Sequence, residues 1–330
     1  MVVRVELTPM ELEERTILVT GGAGFIGSHL CQLLLEEDAH VVVVDNLSSG
    51  RERLIPSEAT LKSLDVRSTS ITKTVSDVSP DAIVHLAAIH YIPYCNEHPG
   101  EAVDVNVVGT RRLLEAARNV SDLEALVFAS SAAVYPTRKG ANVESSRLDP
   151  IGIYGETKLL GEYLARLFAI DSGVPTAAAR LFNVYGPNET NPHLIPAILE
   201  QVVNGRRSIE LGNLTPRRDF VYVRDVARAI IAMLTEFDGD FRPFNVGTGT
   251  THSVQEVVEE TGRAIDDEIS ITQDDSRMRE NERPHLEADV SRIRSEIGWS
   301  PDISLSEGLR KIVSSDRIIV DDSKFVLDND

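Results

Sequence analysis

The chain has 330 residues, more than one hydrophobic core usually holds, and its 42% hydrophobic content is ordinary for a globular protein. Its 33 basic and 52 acidic residues give a formal net charge of −19. That balance disfavours nucleic acid as a partner, because nucleic acid needs a basic footprint. Lysine is scarce, limited to Lys62, Lys73, Lys139, Lys158, Lys311 and Lys324. Acid excess with few lysines fits a protein that works in high salt, where screening relieves self-repulsion. The cysteines, Cys31 and Cys95, belong to no Cys-x-x-Cys pair, so zinc sites and disulfide frameworks are not expected. No run of about 18 apolar residues is present, so no membrane span is expected. The start, Met1-Val-Val-Arg-Val-Glu, lacks a signal-peptide pattern, which leaves the cytoplasm as the expected place.

Residues 1–14 read as an extension before the core. Thr16-Ile-Leu-Val-Thr20 is a short apolar run suited to a buried parallel strand. A glycine turn follows, with Gly21, Gly24 and Gly27, and then a helix through Ser28–Leu35. His40-Val-Val-Val-Val-Asp45 is a second strand. Ala82–Leu86, Ala125–Ala129 and Pro175–Phe182 continue the apolar runs, with helical segments at Val103–Asn119 and Tyr154–Ile170. Strand and helix in alternation predict an α/β fold, a Rossmann-type doubly wound parallel sheet. Beyond Arg180 the pattern breaks at Pro187, Pro192, Pro196 and Pro216, which predicts a smaller C-terminal substrate lobe. Arg218–Val223 and Phe244–Thr248 read as strand edges there.

Glycines at the turn let the backbone approach a pyrophosphate, and the helix N-terminus around Phe25 and Ile26 adds amide donors and partial positive charge. Asp45 closes the next strand, where its carboxylate can accept from adenosine ribose hydroxyls and would repel a 2′-phosphate. NAD is therefore expected over NADP, with Asn46 beside Asp45 among the cofactor-binding candidates. Tyr154 and Lys158 stand at i and i+4 and share a helix face. A free Tyr titrates near pH 10. A nearby ammonium would favour its phenolate, so Lys158 is expected to lower the Tyr154 pKa.

The order glycine turn, Ser130-Ser131-Ala-Ala-Val-Tyr135, Tyr154-Gly-Glu-Thr-Lys158 resembles the extended short-chain dehydrogenase/reductase family. Within it the chain looks like an NAD-dependent nucleotide-sugar epimerase, close to the UDP-glucose 4-epimerases. The resemblance runs from about Thr16 to Pro301 and implies roles residue by residue. Ser131 would hydrogen-bond the reacting sugar oxygen. Tyr154 would carry the proton, and Lys158 would tune Tyr154 and bind the nicotinamide ribose. Asp65 with Val66 would meet the adenine edge. His85-Leu86-Ala87-Ala88 would pass its backbone by the dinucleotide, with no chemistry assigned to His85. Asn106 would shape the active-site helix. Asn183 in Arg180-Leu-Phe-Asn-Val-Tyr-Gly-Pro187, Arg218 and Arg279 would hold the substrate diphosphate.

The implied lobes are residues 1–182 for NAD and mainly 183–330 for substrate, with a segment near 219–246 returning to the first. A homodimer through the two long helices and no metal are also implied. The expected reaction is C4 epimerisation of a nucleotide hexose through a transient 4-keto sugar. Dehydration and decarboxylation are not expected, because Ala132 and Ala133 stand where family members for those reactions carry acids. Two other readings remain open at this level: a net NAD-dependent dehydrogenase or reductase, and a non-enzymatic NAD-binding sensor or scaffold. Pro136, where the family usually has Gly, and Ile89-His-Tyr-Ile-Pro-Tyr94 depart from the family pattern near the sugar.

Overall fold

A computed structural model describes residues 10–189, 191–274, 278 and 283–314. The first half alternates β1 (Thr16–Thr20), α1 (Phe25–Glu36), β2 (His40–Asp45), β3 (Thr60–Ser63), α2 (Ser70–Val78) and β4 (Ala82–His85). Two short helices follow, α3 (Ile92–Glu97) and α4 (Pro99–Val103). A π-helical stretch at Asp104–Gly109 then runs into α5 (Thr110–Ala117). β5 (Ala125–Ser131), α6 (Gly152–Ser172), β6 (Thr176–Leu181) and β7 (Asn183–Tyr185) come next. The later part holds α7 (Leu194–Val203), β8 (Ser208–Leu211), β9 (Arg217–Tyr222), α8 (Val223–Glu236) and β10 (Phe241–Val246). β11 (Thr251–Ser253), α9 (Val254–Ala264), β12 (Ser270–Gln273), β13 (His285–Leu286), α10 (Ser291–Ile297) and α11 (Leu305–Val313) complete the described elements.

The main sheet has seven strands in the order β10-β6-β5-β4-β1-β2-β3. Every neighbouring pair in it is parallel, as in the pairing of Ile17 with both Val41 and Ala82. Such a sheet is covered on both faces, so its strands are apolar throughout and alternate residues face opposite layers. Ile17, Val19, Val43, Val84 and Val127 pack with Leu30, Leu34, Ile230 and Met233 of α1 and α8. Their neighbours Leu18, Ile83, Leu126 and Phe128 pack the other way, with Ile71, Leu113 and Phe168 of α2, α5 and α6.

A second core gathers Tyr185, Ile198, Leu199, Phe220, Val257 and Leu309. It lies under a four-stranded sheet in which β9 joins β11, β13 and β7. The chain crosses between these units after β9. Strand β9 belongs to the small sheet, whereas β10 pairs with β6 at the edge of the large one. Trp299 donates from its indole to the Asp225 carbonyl, 3.1 Å, which ties the segment after α10 to α8. The strand order reverses between β1 and β4, and ligands of open α/β sheets bind beyond the carboxyl ends of strands at such a point.

Candidate active site

At that switch point the chain turns from β1 into α1 on glycine. Gly21 has φ +74°, and a Cβ there would meet the Ala87 amide nitrogen at 2.7 Å. A Cβ on Gly27 would stand 2.2 Å from the Gly21 carbonyl oxygen. Only glycine lets strand, helix and the Leu86-Ala87-Ala88 backbone come this close. α1 starts from Gly24 with no side-chain cap and no acidic residue in its first turn. In a chain so rich in carboxylates, amides of Phe25 and Ile26 left open this way suit an anion. Asp45 ends β2 and is 8% exposed. Its carboxylate accepts from the Ala23 amide at 3.0 Å and the Leu47 amide at 2.8 Å. Burial pushes its pKa up, opposed by those two amides. Each oxygen has further acceptor capacity, so the cradle fits a dinucleotide: a pyrophosphate at the helix end and a ribose at Asp45.

The adenine-edge expectation falls on an ordered cluster. Arg67 donates to both oxygens of Asp65, at 3.0 and 2.8 Å, and Asn46 donates to it at 2.9 Å. These bonds, Arg67 first, hold the Asp65 pKa down at about 2. Val66 beside it is buried. His85 is a satisfied structural histidine. Thr20 Oγ1 lies 2.6 Å from its Nδ1, and Thr110 Oγ1 lies 2.9 Å from its Nε2. Thr110 already donates to the Asn106 carbonyl at 2.6 Å, so it accepts from Nε2–H, and the ring is neutral. Burial lowers its pKa to about 3.

The candidate reacting groups come from β5 and α6. Ser131 is the last residue of β5, and its Oγ accepts from the Ala133 amide at 3.1 Å. Tyr154 lies in the first turn of α6, one turn before Lys158, and hydrogen-bonds to Ser131. The Lys158 ammonium is 5% exposed and donates to the Ala129 carbonyl at 2.8 Å. It stands 6.0 Å from the centroid of the Tyr154 ring. Burial lowers its pKa to about 8, opposed by Cys95.

The expected lowering of the Tyr154 pKa is corrected here. Tyr154 is only partly exposed, and burial pushes its phenol up to about 12. The hydrogen bond from Ser131 pulls the other way without prevailing. An ammonium spent on a backbone carbonyl does not offset the desolvation of the phenolate.

Asn106 occupies the π-helical stretch, a widening that often marks functional sites. Its side chain accepts from the Ile89 amide at 2.7 Å and donates to the Ile89 carbonyl at 2.9 Å. It also donates to Thr157 Oγ1 at 3.0 Å, next to Lys158. Asn106 thus ties the segment after β4 to the Tyr154–Lys158 end of α6.

Behind Ser131 lies a buried polar network. Ser130 donates to Glu162, whose carboxylate accepts from Arg180 at 2.9 and 2.7 Å. Arg180 also donates to the Tyr135 hydroxyl at 3.0 Å, which in turn donates to Asn245 at 2.6 Å. Ser130 is therefore occupied in this network, and Ser131 is the hydroxyl that faces Tyr154.

Among the substrate candidates, Asn183 starts β7, and Arg218 on β9 donates to the Arg217 carbonyl at 3.0 Å. Arg279 lies outside the described residues. Sequence reasoning missed Arg283. Its guanidinium donates to the carbonyls of Ala132 and Ala133, at 3.2 and 3.0 Å, directly after Ser131. Burial, with Arg218 nearby, lowers its pKa. Its only signal in sequence was an arginine four residues after Arg279.

Residues 17–247 match the NAD dependent epimerase/dehydratase family. A putative UDP-glucose 4-epimerase of Methanocaldococcus jannaschii is 32% identical, over 90% of this chain and 97% of the relative. The structure of the Thermotoga maritima UDP-glucose 4-epimerase with UDP-glucose superposes with a TM-score of 0.83. That pair is 29% identical, covering 90% of this chain and 97% of the other. The Thermus thermophilus UDP-glucose 4-epimerase in complex with NAD gives a TM-score of 0.78 at 29% identity, with coverage of 90% and 97%.

Proposed function

The chain belongs to the NAD-dependent epimerase/dehydratase family, and we propose that it epimerises a UDP-hexose at C4 through a transient 4-keto sugar. The observation that carries the reading is the joining of Ser131, Tyr154 and Lys158, in a fold that also carries an uncapped helix end and Asp45 at the strand switch point. Gly21, Gly24, Phe25, Ile26, Gly27, Asp45, Asn46, Asp65 and Val66 would hold NAD, together with the backbone at Leu86–Ala88 and the Lys158 ammonium. When bound and oxidised, NAD supplies a hydride acceptor and a positive charge. Tyr154 takes the C4 hydroxyl proton and later returns it, which typically contributes about 10²–10⁴-fold. Ser131 hydrogen-bonds the same sugar oxygen. Arg218, Arg279 and Asn183 would hold the diphosphate, a task suited to planar guanidinium forks. Ala132 and Ala133 can neither give nor take a proton, so the ketone has one productive exit, reduction on its other face.

The finer parts of the reading concern assembly and setting. The exposed apolar stripe of α6, Leu160, Tyr163, Leu167 and Ile170, supports a homodimer. The charge of −19 supports work in high salt. No helix among the described residues is long and apolar enough to cross a membrane, and we place the enzyme in the cytoplasm.

The test incubates the purified protein with UDP-glucose, UDP-galactose and their N-acetylated and acidic relatives, and resolves epimers by NMR. An epimer of at least one sugar is expected, with turnover abolished and NAD retained in Tyr154→Phe. Stoichiometric reduced cofactor with no epimer would instead establish a net dehydrogenase.

A further inference from the structure

Two segments that are 101 residues apart in sequence meet beside the catalytic groups. One follows β4 and carries Ile89, His90 and Tyr91. The other precedes α7 and carries Glu189, Asn191 and His193. The Asn191 side-chain nitrogen lies 2.5 Å from His90 Nε2. The ring also hydrogen-bonds to the Ala88 backbone. A neutral imidazole has one donor and one acceptor nitrogen, so Nε2 accepts from Asn191 and both are spent. Asn191 is 6% exposed although polar, while His90 is exposed.

The same wall continues through two more rings. His193 lies 6.3 Å from His90 and 6.2 Å from Tyr91, centroid to centroid. His193 is itself pinned through Nδ1 by Glu189 at 2.6 Å, a carboxylate whose side chain is 5% exposed. The base of the wall is fixed as well. Asn106 binds both backbone groups of Ile89 and then Thr157, the neighbour of Lys158. The wall is therefore tied to the helix that carries Tyr154 and Lys158.

An epimerase that oxidises a sugar and reduces it on the other face has a particular need. The ketone must turn over, so directed hydrogen bonds that fix one pose would slow it. It must also not leave. An imidazole with both nitrogens engaged offers the sugar only its face and carbon edges, which guide without anchoring. We propose that His90, clasped by Asn191, is a positioning residue that retains the oxidised sugar while it turns. The inference rests on the epimerase reading above. Hydrogen is conserved in the failure it guards against. When a ketone escapes, its C4 hydride remains on the cofactor and its hydroxyl proton on the protein. One reduced cofactor is left for each 4-keto sugar lost.

The test uses NAD-loaded wild type, Asn191→Ala, His90→Phe and the double variant, each turning over a UDP-sugar that wild type epimerises. Free 4-keto sugar is trapped by borodeuteride in the filtrate, and reduced nicotinamide is read by its fluorescence. Each single variant should raise ketone loss per turnover about five- to tenfold, the weight of one hydrogen bond, with one reduced cofactor per ketone. The double variant should lose no more than the singles, because both break one contact. In cofactor-free protein, ¹⁵N NMR should show the His90 ring protonated at Nδ1, a state altered in Asn191→Ala. Single variants that epimerise with wild-type retention overturn the proposal, as does a double variant whose loss multiplies the two. A wild type that forms no epimer from any of the UDP-sugars overturns the reading beneath and this proposal with it, and is distinguished before any variant is compared.

Discussion

A tyrosine that serves as a base must become phenolate, and the protein without cofactor resists that. Burial holds the Tyr154 proton on up to about 12, and Ser131 only moderates it. Lys158, the expected activator, is itself depressed to about 8 by burial. A group whose folded pKa lies above its free value of about 10 keeps its proton longer in the folded state. The stability it lends is full below pH 10 and is lost as pH climbs towards 12. A difference absorbance titration of wild type against Tyr154→Phe should therefore show no Tyr154 phenolate at pH 10 in cofactor-free protein. Loading oxidised NAD should bring the phenolate step down, because a nearby cation favours it. A Tyr154 step at or below pH 10 without cofactor would contradict the burial argument. Reading i and i+4 off the sequence placed Lys158 near Tyr154 correctly. It could not supply the sign of the shift, because desolvation depends on what covers the pair.

At the scale of elements, α6 does two jobs on two faces. Thr157, Lys158, Gly161, Glu162 and Ala165 are buried towards β5 and the site. Leu160, Tyr163, Leu167 and Ile170 are 45%, 52%, 54% and 60% exposed. Their spacing puts an apolar stripe on the helix surface, and stripes of this kind mark protein contacts. Arg118 of the neighbouring helical segment reaches Asp171 at 2.7 Å, a polar edge to the patch. We expect Leu167→Glu to leave the fold intact, since the side chain is solvated, and to shift the protein to monomer at micromolar concentration. Size-exclusion chromatography with light scattering reads this directly. A variant that keeps the wild-type mass, or a wild type that is already monomeric, would remove α6 as the interface. The sequence predicted a single helix over Val103–Asn119. The chain is helical there from Val103 to Ala117, with Asp104–Gly109 wound as a π-helix in which Asn106 binds Ile89. No local pattern marks that stretch, since its partner lies on another loop.

At the scale of the molecule, the charge of −19 acts on the fold as a whole. Most arginines of the described surface are already in ion pairs, such as Arg228 with Asp225 and Asp302, and Arg217 with Glu256. The remaining acid excess repels itself. Screening shortens to about 3 Å in molar salt, which relieves that repulsion and weakens exposed pairs by a smaller amount. The melting temperature and activity should therefore rise between dilute buffer and molar KCl. A flat or falling melting temperature across that range would show that the acidic surface is not an adaptation to salt.

The sequence alone determined the chemistry that is local along the chain. A phosphate turn needs glycines at fixed spacing after a strand, and the Tyr154–Lys158 pair needs one helical turn. Buried parallel strands need unbroken apolar runs. Each is specified within about ten residues, so the alternating fold, the glycine turn, Asp45 and the Tyr154–Lys158 pair could be read directly, whereas the expectation for Ser131 came from the family resemblance. Only the tertiary structure decided what depends on distant segments meeting. It placed β10 at the edge of the main sheet while β9 stayed in the small one. It brought Arg283 onto the carbonyls of Ala132 and Ala133, Asn106 onto Ile89, and Asn191 onto His90. It also set the protonation of Tyr154, because hydrogen-bond partners and desolvation are fixed by the path of the whole chain and not by spacing along it.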